Sequence, residues 1–230
     1  MRTIIIPDLH NRVDWIEPFL SSISYDRVVL LGDYFDDFGD TAKDIKKSAN
    51  WLKQSLKHEE RIHLFGTHDL WYRYPYNPFL IASGNSGKKS EIISKILYED
   101  DWNLLHFFYI EQTFLLTHAG LHPSFVKNDN PLFSLGLLID EAISEIRNGF
   151  IDPILNAGLA RGGNQPFGGI TWLDWHDEFE IIPNLNQIVG HTQQKIPTEK
   201  STINSKNYCI DTQNRHIGII EKNVFSCINK

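Results

Sequence analysis

Five times in this chain, an apolar, strand-forming run ends abruptly in an aspartate or histidine inside a tight loop, usually beside a glycine. The first is Ile4-Ile5-Ile6-Pro7-Asp8-Leu9-His10, where two candidate ligands stand one residue apart. Residues 27–31 run into Gly32-Asp33-Tyr34-Phe35-Asp36, and residues 61–65 into Gly66-Thr67-His68-Asp69. Residues 113–117 empty into His118-Ala119-Gly120, and Ile188-Val189 into Gly190-His191-Thr192. Open α/β sheets bind ligands just beyond the C-terminal ends of their strands, so this recurrence predicts one site assembled from five strand ends.

The segments between these ends predict how the strands are joined. Val13, Ile16, Phe19, Leu20 and Ile23 recur at helical spacing. Thr41 with Asp44 three residues on suits the start of a helix through Ile45, Ala49, Leu52 and Leu56. Residues 70–78 hold four aromatic residues and two prolines and read as an irregular loop. Residues 91–97 read as a short helix, 104–116 as a hairpin turning near Glu111-Gln112, and 132–146 as an amphipathic helix stopped at Gly149. The Gly-rich stretch 158–170 is too long for a simple connection. Residues 208–210, 216–220 and 224–228 read as three strands of an antiparallel finish. No repeat or linker divides the chain, so residues 1–230 are expected to form one domain.

Composition narrows the function classes. A net charge of −7 gives no footprint for nucleic acid or an anionic membrane, whereas clustered Asp and His in an acidic chain make a ready cation site. Cys209 and Cys227 lie away from the polar motifs and are expected to be buried free thiols. No apolar run reaches the roughly 18 residues of a membrane span, and no basic segment followed by a long apolar one opens the chain, which leaves the cytoplasm as the expected compartment.

Two-metal hydrolysis needs ligands converging on two cations roughly 3.5–4 Å apart, with one carboxylate able to bridge them. Asp8 and His10 are suited to one ion, Asp33 to the bridge, and His118 with His191 to the second. Water activated by such cations would be a nucleophile without any serine or cysteine, and a protonated His68 would serve the leaving group as acid. No Gly-x-Ser-x-Gly elbow supports an α/β-hydrolase. Residues 84–90 fail the spacing of a phosphate-binding loop and read as a flexible connection. His58, His63, His106, His176 and His216 join no constellation.

The ordered set Asp8-Leu9-His10, residues 32–36, residues 66–69, His118-Ala119-Gly120-Leu121-His122-Pro123 and residues 190–192 resembles the motifs of calcineurin-like metallophosphoesterases. Within that superfamily the chain is most similar to the serine/threonine phosphoprotein phosphatase branch and its bacterial relatives, since residues 118–123 mimic that branch's His-Gly-Gly-Leu-Ser-Pro and residues 170–175 echo its Trp-Ser-Asp-Pro. The resemblance implies an α/β fold: a four-layer αββα sandwich of two mixed sheets, with a dimetal site at the strand C-terminal edges. It also implies two divalent ions, manganese first, with iron or zinc as alternatives. Asp8, His10, Asp33, Thr67, His118 and His191 would be the metal positions, with Asp36 orienting the acid His68.

Three departures stand out. Thr67 occupies the place of an asparagine ligand and offers a shorter, weaker donor. Asp37 stands where the phosphatase branch has a phosphate-clamping arginine, which makes Arg161 the replacement candidate because its fork suits phosphate oxygens. Gln193 replaces a second histidine common in the phosphodiesterase members. The expected activity is hydrolysis of a phosphomonoester, on phosphoprotein or a small phosphoester. The alternatives are a nucleotide or dinucleoside polyphosphate pyrophosphohydrolase or phosphodiesterase, and a catalytically impaired metal-binding interaction module.

Overall fold

The computed structural model describes residues 1–126 and 130–230. The opening apolar run is β1 (Arg2–Ile6), the centre of a six-stranded sheet with β2 (Arg27–Leu30), β3 (Arg61–Leu64), β4 (Leu105–His106) and, later in the chain, β10 (His216–Glu221) and β11 (Val224–Asn229). Its strand order is β11-β10-β1-β2-β3-β4; β1 to β4 are parallel, and β10 and β11 add an antiparallel edge. The second sheet has the order β5-β6-β7-β9-β8, formed by β5 (Phe108–Glu111), β6 (Phe114–Thr117), β7 (Asn186–Val189), β8 (Thr198–Ser201) and β9 (Lys206–Cys209). It too is mixed, parallel along β6-β7-β9 and antiparallel at both edges. The two sheets form the expected αββα sandwich.

Alternation along the strands explains the layers. Ile5, Val29, Leu31, Leu64 and Ile220 from the first sheet meet Phe114, Leu116, Ile188 and Ile210 from the second in one fully buried cluster. Ile4, Ile6, Val28 and Leu30 point the other way, into the cluster that contains Ile16 and Leu20 of α1 (Ile16–Ser22) and Ile45, Ala49 and Leu52 of α2 (Ala42–Ser55). Residues 4–6 are buried on both faces of the sheet, which is why the second half of β1 reads as an isoleucine run. Thr41 caps α2 by the expected capping box with Asp44.

Four sequence expectations need correction. Residues 70–78 are not wholly irregular: α3 (Thr67–Arg73) begins inside the third motif and buries Leu70 and Tyr72. Gly87–Ser94 is helix α4, capped by the Ser86 side chain, so residues 84–90 are not a loose connection. A brief α5 (Glu99–Trp102) follows, and then the expected hairpin divides. Only β5 and β6 turn on each other, while β4 joins the first sheet beside β3. Finally, the tail is not three antiparallel strands. The β9 strand pairs parallel with β7 in the second sheet, and the unexpected β8 pairs with it antiparallel. Alternation tells which faces of a strand are buried but carries nothing about which neighbour it takes. The helix α6 (Pro131–Arg147) forms as expected, closed by Asn148 and Gly149.

Candidate active site

Strands β1, β2, β3, β6 and β7 all end at one place, and all the sequence-derived ligand positions meet there. Neighbouring loops are locked to each other by backbone hydrogen bonds: Leu9 and His10 donate to the Asp33 carbonyl (3.0 and 2.8 Å), and Gly190 donates to that of His118 (2.7 Å). The turns are tight enough to need left-handed backbone. His10, Asp33, Asp36 and His191 have φ of 44°, 52°, 64° and 62°, an unfavourable region for residues with a Cβ and one that collects at functional sites. Gly32 and Gly66 permit the closest approach, since a Cβ on Gly32 would lie 2.3 Å from the Gly66 nitrogen.

Asp33 sits at the centre. Its Oδ1 accepts from the His68 backbone N–H (2.9 Å), leaving Oδ2 facing His118 Nε2 at 3.5 Å and His10 Nε2 at 3.6 Å. Two groups of potential metal ligands share it, His10-Asp33-His68 and Asp33-His118-His191, with the donor atoms of each group within 4.8 Å of one another. The proton positions on two of these rings follow from their partners. His118 Nδ1 bonds to the Leu31 carbonyl (2.8 Å), and His10 Nδ1 to the carbonyls of Asp36 (2.8 Å) and Phe35 (3.1 Å). A carbonyl only accepts, so in the neutral rings each Nδ1 holds the proton and each Nε2 turns a lone pair toward the Asp33 carboxylate. Lone pairs converging on an anion repel unless a cation lies among them, and a histidine that donates its other N–H to a carbonyl is the usual support for a metal ligand. His118 Nε2 also lies 3.1 Å from His191 Nδ1, while His191 Nε2 is buried without a partner. The donor set therefore fits divalent cations.

Asp33 is set up to stay ionised. Burial works to raise its carboxyl, but the positive charge of the surrounding histidines when they are protonated, His118 first, outweighs it and holds it well below its usual range, and Asp33 and Asp8 in turn raise His10 against its burial. Burial, His118 and Arg161 drive His191 strongly down, keeping it neutral and free to ligate. Burial also raises Asp8, with His118 opposing.

Asp8 lies near His10 and also reaches the loops of the fourth and fifth motifs. Its carboxylate accepts the His191 backbone N–H (3.0 and 3.1 Å), and its Oδ2 stands 4.0 Å from His118 Nε2, so it belongs to neither close ligand group. Thr67 is buried; its hydroxyl donates to the Thr171 carbonyl, and the oxygen lies 3.5 Å from His191 Nδ1. Arg161 comes to the rim on the His191 side, where Asp174 pairs with its Nε at 2.9 Å and Thr192 Oγ1 accepts from Nη2 at 2.8 Å.

His68 is the second residue of α3, and its Nδ1 meets Asp36 Oδ2 at 3.3 Å. Burial opposes charge on this ring, but Asp33 and the Asp36 hydrogen bond prevail and push its pKa up to about 9. Asp36 is far more engaged than the sequence indicated. Tyr72 Oη and Lys89 Nζ donate to its Oδ1 at 2.7 Å each, and Asn85 donates to Oδ2 at 2.6 Å. Tyr72 lies one helical turn after His68, a signal readable once residues 67–73 are known to be helical. Lys89 and Asn85 sit in the stretch expected to be a loose connection, and nothing in their spacing marks them. Asp69 was also missed: its buried carboxylate accepts the N–H groups of Asp33, Tyr34 and Gly66 at 2.8, 3.0 and 2.9 Å, binding the second motif to the third. An open cleft of about 290 Å3 lies over His10 and His68, walled by Arg12, Asp37, Gln193 and Gln213 among others.

The arrangement of the two sheets is a fold shared with solved phosphatases and a metallophosphoesterase. Solved structures that share it include a cold-active protein-tyrosine phosphatase from a Shewanella species, with a TM-score of 0.61 and 16% identity over 98% of this chain and 77% of that one. A metallophosphoesterase from Sphaerobacter thermophilus matches with a TM-score of 0.51 and 14% identity, covering 100% of this chain and 88% of its own. A protein serine/threonine phosphatase from Saccharomyces cerevisiae matches with a TM-score of 0.52 and 9% identity, covering 100% and 80%. No family's sequence profile and no curated protein matches the chain. Among the described residues no helix is long and apolar enough to cross a membrane, and both cysteines are free, Cys209 buried and Cys227 half-buried.

Proposed function

We propose that this chain is a dimetal phosphoesterase that hydrolyses a phosphomonoester, on phosphoprotein or a small phosphoester. The observation that carries the reading is the pair of ligand groups sharing Asp33, with lone pairs of His10 and His118 converging on its outer oxygen. His10 would hold one ion and His118 with His191 the other, with Asp33 shared between the two groups and Asp8 and Thr67 completing the surroundings. Cations bound there supply Lewis acidity toward the phosphoryl oxygens and lower the pKa of water toward neutrality, as divalent metals do in hydrolases.

The chain's own residues supply the rest. Asp36 holds the Nδ1 side of His68, so the proton at Nε2 is free to go to the departing alkoxide oxygen. The same Asp36 carboxylate favours the protonated form of that imidazole. The ordered loops hold these groups before substrate arrives, so little reorganisation is left for the reaction itself. An acid oriented by its own carboxylate and opening on a cleft favours an enzyme over a binding module, which has no use for a proton donor.

The test is hydrolysis of an activated aryl phosphate by metal-stripped protein to which manganese is returned. Turnover should require the metal and disappear with a chelator. Undiminished turnover by the stripped protein would sink the reading.

A further inference from the structure

On the phosphoesterase reading the cleft over His10 and His68 holds a phosphoryl group carrying up to two negative charges, and among the described residues its lining offers a single arginine or lysine, Arg12. Lys89 is shared between Asp36 and Asp40 at 2.7 and 2.8 Å and does not line the cleft. Arg161 is held by Asp174 and Thr192 at two of its donors, as Arg12 is by Asp37, and what separates the two arginines is that Arg161 does not line the cleft. Arg12 reaches its place because His10 and Asn11 both take left-handed backbone, with φ of 44° and 62°, which folds the chain back beside the site. Its own N–H then closes the turn on the Leu9 carbonyl at 2.9 Å.

Asp37, which follows Asp36, grips Arg12 in a fork: Nε to Oδ2 at 2.9 Å and Nη2 to Oδ1 at 3.0 Å. Such a grip uses two of the five N–H donors of a guanidinium and leaves three, including both on the other terminal nitrogen. It also fixes a side chain that is otherwise 38% exposed and would lose several torsional freedoms on binding an anion. Asp37 is therefore a positioning residue here, and an arginine so fixed has a free edge of the planar geometry that phosphate oxygens accept.

We propose that Arg12, held in place by Asp37, is the side chain that binds the substrate phosphoryl group in this cleft. The assignment rests on the phosphoesterase reading above and puts Arg12 forward in place of Arg161 for that role. It joins the loops after β1 and β2 into one substrate-binding wall.

The test uses manganese-loaded full-length chain and inorganic phosphate, the product, as the probe. Its affinity is measured by calorimetry and as a competitive inhibition constant, for wild type, Arg12→Ala, Arg12→Lys and Arg161→Ala, with metal content checked in each. Hydrogen bonds to charged groups are worth about 1.5–3 kcal/mol, so Arg12→Ala should weaken phosphate about 10- to 150-fold at unchanged metal content. Arg12→Lys should recover only part, because one ammonium cannot hold Asp37 and present a second edge. Arg161→Ala should leave phosphate affinity near wild type. Phosphate bound equally well by Arg12→Ala overturns the proposal, as does a loss confined to Arg161→Ala or no phosphate binding by the wild type. Failure of turnover alone would count against the phosphoesterase reading and leave the calorimetric result to decide on Arg12.

Discussion

Replacing Asp36 by asparagine tests the network behind His68 because it keeps the shape and removes the charge. The carboxylate is 1% exposed and meets four side chains, Tyr72, Asn85, Lys89 and His68. Every one of them presents a donor when His68 is protonated, so an asparagine NH2 in either orientation is set against at least one donor. Removing one partner of a buried ion pair typically costs about 3–5 kcal/mol. Lys89 is 16% exposed and retains Asp40 at 2.8 Å, which brings the expected cost down to about 2–3 kcal/mol. For a chain of this size each kcal/mol shifts Tm by about 2–4 °C, giving a fall of about 4–12 °C in metal-free protein followed by circular dichroism.

The same substitution should act on catalysis separately. Without the carboxylate the His68 proton is less firmly held and its pKa falls. General acid catalysis is worth about 10²- to 10⁴-fold, and losing the orienting partner should cost part of that, about 10- to 100-fold in kcat for phenyl phosphate. A nitrophenyl ester, whose leaving group needs little protonation, should lose much less. Metal content should not change, because Asp36 belongs to neither ligand group. A Tm within about 1 °C of wild type would refute the energetic reasoning, and equal loss on both esters would refute the positioning of an acid.

His68→Ala should lower turnover far more than metal content, whereas Asp33→Ala and His118→Ala should lose metal by elemental analysis; the reverse pattern would make His68 a ligand. Thr67→Asn offers a carbonyl oxygen with longer reach toward His191, so it should tighten the weaker of two sites in a manganese titration, and two equally tight sites in both proteins would show that threonine is no handicap. His63 is fully buried between Tyr34 and Ser55, and burial with nearby Arg61 pulls its pKa down to about 3. Its folded value lies below the unfolded one of about 6.5, so acid favours the unfolded chain; stability should fall by about 2 kcal/mol between pH 7.5 and 5, and His63→Gln should flatten that part of a denaturation series. Phe38 is wholly exposed at the cleft rim, so Phe38→Ala should leave Tm unchanged but raise KM for aryl phosphates by about 2- to 10-fold relative to alkyl ones if its ring stacks on the leaving group.

What the sequence made legible follows from where the information lies. A ligand that directly follows a buried strand is tied by short chain length to that strand's end, so Asp8, His10, Asp33, His68, His118 and His191 could be placed together once five strands were recognised. Their mutual orientation was not legible. Asp8 also accepts the His191 backbone N–H and stands 4.0 Å from His118 Nε2, contacts with two other loops that nothing in the first motif marks. The pairings of β4, β8 and β9 were also out of reach, since sheet order depends on long-range contacts that leave no local period.

Charge pairing across loops is the hardest part to read, and here it carries the most consequence. Asp36 and Lys89 are 53 residues apart, and Arg12 and Asp37 are 25 apart, so neither pair has a spacing that marks it. Taken alone, Asp37 looks like a charge of the wrong sign in a phosphate site. Beside Arg12 it becomes the group that holds a guanidinium still, and the pair places one cation and one anion where a lone arginine would place a cation alone. Such a site attracts phosphate less strongly at long range than a bare arginine would, because at distances beyond the pair the two charges largely cancel. Its selectivity must come from close contact, where the free edge of the guanidinium meets phosphate oxygens directly. Association should therefore depend only weakly on ionic strength, and Asp37→Asn, which unmasks the cation, should make KM for a phosphomonoester rise more steeply with salt than in wild type. A wild-type KM already as salt-dependent as that of the variant would mean that Asp37 does not mask Arg12 in solution.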